Sequence, residues 1–234
     1  MYKIIWKGID STNITGLIIS ELPPITKPKM RVQETKIDGV DGSIIEELGY
    51  ESYNKTIRIG LSKNYDIDRV IEYFTGEGNI VFSNEPNKYY KAYIIEQVNY
   101  EKLLRFKEAT IKFKVQPFKY EHEEEKIVST TEQIGNKNII VENIGNYRSK
   151  PIIKIIGTGV TEFILNNNNL FTYTFPEGED TVVIDSEKQD AYLGIELKNR
   201  NMSGEFPVLE VGVNTITWNG SIESVEISQK SRWL

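Results

Sequence analysis

The chain has 234 residues, enough for one large β domain or two smaller ones whose cores need no covalent staples. Its 28 basic and 34 acidic residues give a net charge of −6, which argues against a protein that holds nucleic acid by neutralising phosphates. It has no cysteine and one histidine, so disulfide frameworks, thiolate nucleophiles, Cys-based zinc sites and paired-histidine metal sites are excluded.

In chain order, Tyr2–Lys7 reads as a first strand with Ile5 and Trp6 as its buried residues, and Ile14–Ser20 as a second. Leu22-Pro23-Pro24 breaks that strand, and Lys27-Pro28-Lys29 marks an extended connection. Met30–Ile37 alternates loosely as a further strand. Asp38–Gly42 is a turn, since both Asp-Gly pairs favour positive φ. Thr56–Leu61 is a clean strand with Ile57, Ile59 and Leu61 on one face.

A helix is expected over 66–75. Ile67, Val70, Ile71 and Phe74 fall on one face, Asp66 is placed to cap the first turn, and Gly76 to end the last. The apolar run Ile80-Val81-Phe82 and the strand Tyr89–Ile94 follow, joined by the turn Ser83–Asn87, where Pro86 needs no donor. Ala109–Val115 alternates again, and Pro117 is expected to end it.

The composition then changes. Tyr120–Lys126, YEHEEEK, has no apolar face, and Ser129-Thr130-Thr131 is polar, so a solvated linker is expected within 121–135. The chain is thereby divided into domains 1–122 and 123–234. The second half reads as short strands: Ile139–Val141, Pro151–Ile156, Phe163–Leu165, Thr172–Phe175 and Thr181–Ile184, with Asn166–Asn169 as a turn. Thr215–Trp218 and Val225–Ser228 read as a hairpin across Asn219-Gly220, with Ile216, Trp218, Val225 and Ile227 inward. Many short strands at even spacing point to a sandwich.

No constellation for catalysis emerges. His122 lies in the acidic run and reads as a solvated residue. Gly76-Glu77-Gly78 follows a helix instead of preceding one and carries an acid, so it reads as a helix stop and not a phosphate cradle. Asp38 and Asp41 lack the spacing of a calcium loop. Glu46 and Glu47, adjacent on a strand, point to opposite faces and cannot flank one bond. Glu123–Glu125 read as solvated. Thirteen tyrosines and three tryptophans can stack on sugars or fill β cores, and nothing in the sequence gathers them on one exposed face. No catalytic, cofactor-binding or metal-binding residue is assigned, and no cofactor. The residues describe a two-domain β protein of a structural or interaction type, not an enzyme.

Two blocks carry a resemblance. The first is the helix followed by GEGNIVFSNEP and YYKA, with Gly76, Gly78, Phe82, Ser83, Glu85, Pro86, Tyr89, Tyr90, Lys91 and Ala92. The second is IDSEKQDAY with MSGEFPVLEVGVNTI, including Gly204, Phe206, Pro207, Gly212 and Asn214. In this order and separation they resemble the distal tail (Dit) proteins of siphophages, over nearly the whole chain. The resemblance implies a mainly β fold. Its first half would be a tail-tube-like split β-barrel or sandwich with one helix, its second a galectin-like β-sandwich. It implies a homohexameric ring at the virion tail tip, made in the host cytoplasm, joining the tail tube protein to the tail-associated lysin or fibre-base protein. DNA would cross its channel without specific binding, and some relatives carry receptor-binding proteins at the periphery. The matched residues look like fold determinants, not catalytic ones. The alternative is a carbohydrate-binding β-sandwich module for receptor adhesion. No apolar run is long enough to span a membrane, and MYKIIWKGID shows no signal peptide.

Overall fold

The computed structural model describes residues 1–39, 41–122, 127–131 and 137–234. Val40 of the expected Asp38–Gly42 turn, Glu123–Lys126 of the acidic run and 132–136 of the expected linker lie outside the described residues. The chain separates into two compact units, Met1–His122 and Glu123–Trp233.

The first unit contains β1 (Ile4–Trp6), β2 (Ile9–Asp10), β3 (Leu17–Glu21), β4 (Met30–Thr35), β5 (Ile44–Tyr50), β6 (Tyr53–Leu61), α1 (Ile67–Tyr73), β7 (Glu77–Phe82), β8 (Lys88–Tyr93), α2 (Tyr100–Phe106) and β9 (Glu108–Glu121). One antiparallel sheet runs in the order β2–β1–β7–β8–β9–β6–β3 and curls until Tyr2, just ahead of β1, bridges Ile19 of β3. Its inner face follows the two-residue period of the strands: Ile57, Ile59 and Leu61 of β6 and Ala109, Ile111, Phe113 and Val115 of β9 are all buried, with Ile57 opposite Ile111 and Ile59 opposite Ala109. Trp6, Phe74 and Phe82 each meet Phe113 edge-on at 5.2, 6.4 and 6.2 Å. Helix α1 adds Val70 and Tyr73 to this core. Its cap is Asp66, whose carboxylate accepts from the Arg69 N–H at 3.1 Å.

Four expectations need correction here. Ile4 and Trp6 are the buried pair of β1 and Ile5 is half-buried, because neighbours on a strand face opposite ways. Helix α1 stops at Tyr73, so Gly76, at φ +76°, turns the chain into β7 instead of closing the helix. Pro117 does not end β9. Beyond Val115 the strand has lost β6, and Pro117 sits where the β8 register shifts between Tyr90 and Ala92, so its missing N–H breaks no ladder bond. Tyr120 and Glu121 therefore belong to a strand, paired with Tyr89 and Lys88, and not to a linker.

The structure also adds α2, capped by Asn99 and ended by Lys107 at φ +58°. Strands β4 and β5 form a separate two-stranded ribbon.

The second unit contains β10 (Ile127–Thr131), β11 (Asn138–Asn143), β12 (Ile152–Leu165), β13 (Asn168–Thr174), β14 (Thr181–Asp185), β15 (Asp190–Leu193), β16 (Glu196–Leu197), β17 (Met202–Gly204) and β18 (Gly212–Ser228). Strands β12 and β18 are long, lie antiparallel, and serve two runs of strands. The order β10–β18–β12–β14–β15–β16 uses one half of each. The other halves carry β11 on β18, and β13 with β17 on β12.

The Asn219-Gly220 hairpin does not form. Residues 212–228 are one continuous strand whose two halves both pair with β12, not with each other. Gly220 has φ +100°, and a Cβ there would lie 2.5 Å from the Val160 carbonyl oxygen, so the glycine serves a bend. Ile216, Trp218, Val225 and Ile227 do face the core. Ser129–Thr131, expected as linker, belongs to β10 and pairs with Ser224–Glu226. Of the four asparagines only Asn166 and Asn167 turn, both at positive φ, which is the pattern of a two-residue hairpin loop.

Candidate assembly surfaces

Among the described residues, no three His, Cys, Asp or Glu side chains gather closely enough to hold a metal ion. His122 is exposed, and its backbone N–H donates to the Asn87 carbonyl at 2.9 Å. Asp38 and Asp41 are exposed beyond the ends of β4 and β5. Glu46 lies opposite Gln33 and Glu47 opposite Val32, on different faces of the ribbon. Gly78 pairs with Ala92, and a Cβ on it would lie 2.6 Å from Cγ of Lys7, so side chain and not a phosphate covers it.

The first matched block builds the β7–β8 hairpin and its footing. Phe82, Tyr90 and Ala92 are in the core, and Tyr89 stacks on Tyr120. Lys91 holds its ammonium 4.9 Å from the Tyr120 ring centre. Ser83 Oγ accepts from the Lys3 N–H at 3.1 Å.

Glu85 is the polar centre. It accepts from the Tyr90 hydroxyl at 2.6 Å and from Lys119 Nζ at 2.9 Å. Burial works against its charged form, but the Tyr90 and Lys119 hydrogen bonds and the Lys119 and Lys55 charges hold its carboxyl below its ordinary value. Burial pushes the Tyr90 hydroxyl well up, and the Glu85 contact adds to it.

Lys55 completes the cluster and was missed from the sequence. It is 2% exposed, donates to the Pro24 carbonyl at 2.9 Å and lies 4.8 Å from the Tyr90 ring centre. Burial pulls its pKa down to about 8, with Lys119 adding to the fall and Glu85 opposing it. The signal was present: β6 buries every second residue, and Lys55 falls in phase with Ile57 and Ile59.

The same cluster fixes the proline-rich connection before β4. Asn84 donates to the Pro23 carbonyl at 2.9 Å, Lys55 to Pro24, and the Tyr53 hydroxyl to Thr26 at 3.4 Å. From this base the β4–β5 ribbon leaves the sheet with Val32, Ile44, Ile45 and Leu48 exposed. A second exposed apolar group lies on α2, whose one buried residue is Leu103 while Leu104 and Phe106 face solvent.

The second matched block is also structural. Asn214 is buried and uses its whole amide. It donates to the Glu210 and Gly212 carbonyls and accepts from Glu210 N–H and Asn166 Nδ2, at 2.9 to 3.1 Å. Gly204 has φ +109°, Gly212 opens β18, Pro207 is buried and Phe206 packs on the core. A groove of about 300 Å³ beside Phe163, Phe171 and Gly204 offers no free ring to a sugar, because the two phenylalanines are buried and stack on each other at 4.7 Å.

No protein-family model and no curated protein matches the chain. Solved structures do. The chain superposes on the Dit protein (gp 19.1) of phage SPP1, a protein described as a paradigm of the hub adsorption apparatus of phages infecting Gram-positive hosts. The TM-score is 0.70 at 16% identity, over 97% of both chains. Chains of the phage P2 baseplate in its activated conformation follow at lower likeness. The calcium form gives a TM-score of 0.49 at 9% identity over 97% of this chain and 96% of that one. The strontium form gives 0.46 at 9% identity over 96% and 97%. On the first of these likenesses, which spans both units, the chain has a Dit-like fold, mainly β with curled sheets.

Proposed function

We propose that this chain is a structural hub protein of a phage or prophage tail tip. In this reading six copies close into a ring through residues 1–122. The ring caps the tail tube protein on one side and receives the tail-associated lysin or fibre-base protein on the other, and 123–234 forms a galectin-like sandwich. DNA crosses the central channel without specific binding, which the net charge of −6 suits. The chain is not an enzyme and works without a cofactor. The observation that carries the reading is the end-to-end likeness to the SPP1 Dit protein, over 97% of each chain.

The test is the mass of the full-length protein by light scattering, with negative-stain images of the protein and of assembled tail tips, and the same for residues 1–122 alone. Six-fold rings from both forms are expected. Absence of the chain from tail tips, or its presence there without six-fold order, refutes the hub. Rings from 123–234 and never from 1–122 move closure to the other half. Retention of a monomer on a glycan array would favour the sugar-binding alternative.

A further inference from the structure

One edge of the second unit is open. Strand β11 pairs with β18 on one side, and among the described residues no strand pairs with it on the other. The Lys137 carbonyl accepts from the Trp218 N–H at 3.2 Å, in line with Asn138 standing opposite Thr217. Backbone groups alternate in direction along a strand, so Ile139, Val141 and Asn143 also turn theirs to β18. Asn138, Ile140 and Glu142 therefore hold their N–H and C=O groups toward the open side.

An edge of this kind is a template for another strand, and proteins blunt it with lysine, proline or a bulge. Residues 138–143, N-I-I-V-E-N, contain no lysine and no proline, and their register on β18 is unbroken. The outer side chains are exposed, Ile140 at 62%, with Val213 opposite Glu142 on β18 at 68%. The inner ones, Ile139 and Val141, belong to the core.

The edge is also complementary to itself. In an antiparallel pairing centred on Ile140 the three open residues map onto themselves. Ile140 stands opposite Ile140, and Asn138 opposite Glu142. Each open N–H then meets an open C=O in the hydrogen-bonded pairs of an antiparallel ladder. The Asn138 amide can donate to the Glu142 carboxylate, so no like charges are opposed. On the inner face Ile139 falls opposite Val141, and the apolar side continues across the seam.

We propose that β11 of one copy pairs in this register with β11 of a second copy, about a two-fold axis, so that two second units share one sheet. Main-chain hydrogen bonds supply the attraction, and the self-matching side chains set the register. The contact is isologous, so it joins chains or rings in pairs and cannot by itself close a ring. It is separate from the hub reading, which assigns closure to residues 1–122.

The full-length chain has no native cysteine, so introduced ones report the register. A hydrogen-bonded antiparallel pair holds its Cα atoms about 5.5 Å apart, within reach of a disulfide. Under mild oxidation Ile140→Cys is expected to give a linked dimer at least tenfold above Val160→Cys, an exposed site on β12. Asn138→Cys mixed with Glu142→Cys should link at least tenfold above either variant alone, because like positions then lie four residues apart, about 13 Å. Adding Ile140→Lys to both chains of that mixture opposes two ammonium groups and should cut the yield at least tenfold, whereas adding Val160→Lys should not. A yield of Ile140→Cys no higher than Val160→Cys, a mixture no better than its single components, or equal effects of the two lysines each overturns the proposal. Six-fold rings without these links refute the pairing and leave the hub standing. Links in a protein that forms no rings uphold the pairing and count against the hub alone.

Discussion

Lys55 shows how the first unit spends a charge in its interior. Its nearest counter-charge, Glu85, is already engaged by Tyr90 and Lys119, so the cluster holds two ammonium groups and one carboxylate. With the folded pKa at about 8 and an unfolded lysine near ~10.4, the unfolded chain binds the extra proton between those values. Stability therefore rises with pH through that window, until unfolded tyrosines ionise near pH ~10. Tyr53, whose pKa burial raises to about 12, stays protonated when folded and reverses the trend. Between about pH 7.5 and 9.5 the first unit should gain about 2 kcal/mol that Lys55→Met does not. Urea unfolding at stepped pH checks this, and parallel curves would assign the window to another group. Glu85→Gln leaves both cations without a carboxylate and should cost about 3 kcal/mol at neutral pH, read as a lower urea midpoint for the first unit.

Among the elements, the bent strand β18 carries the sharpest prediction. Gly220→Ala meets both a positive φ and the Val160 carbonyl, and should cost on the order of 2 kcal/mol. Gly178→Ala has φ +83° and no atom within 4 Å, so it should cost about 1 kcal/mol. Equal urea midpoints for the two would show that the bend tolerates a side chain. The same residue explains a failed expectation. Asn-Gly is a strong local hairpin signal, but left-handed glycine serves a bend equally well, and only the pairing with β12 distinguishes them. Strands that alternate cleanly, such as β6 and β9, were legible because each has one buried face. Helix α2 was not, because one buried residue, Leu103, leaves no stripe. The β4–β5 ribbon was half legible for the related reason that it buries neither face. Of the candidate site, the Gly76–Ala92 block pointed to its hairpin and fold family. The Lys55 cage and the α2 patch depend on which strands and helices stand side by side, which local spacing does not encode.

At the scale of the whole molecule the chain holds two separate clusters of buried side chains, one drawn from 4–115 and one from 139–227. Two urea transitions are expected for the full-length chain, with Glu85→Gln moving one and Gly220→Ala the other. A single transition displaced by both substitutions would mean that the units unfold as one.

The length of β12 and β18 has a mechanical side. A sandwich made of independent sheets can delaminate, its layers parting across a greasy seam. Here the same two backbones run through both runs of strands of the second unit, so parting them means tearing a ladder in two stretches, Ile152–Thr158 against Ser221–Ser228 and Glu162–Leu165 against Ile216–Asn219. Tension along β12 and β18 loads the main-chain hydrogen bonds within each stretch together instead of one after another, so the second unit should resist shear along these strands better than peeling across them.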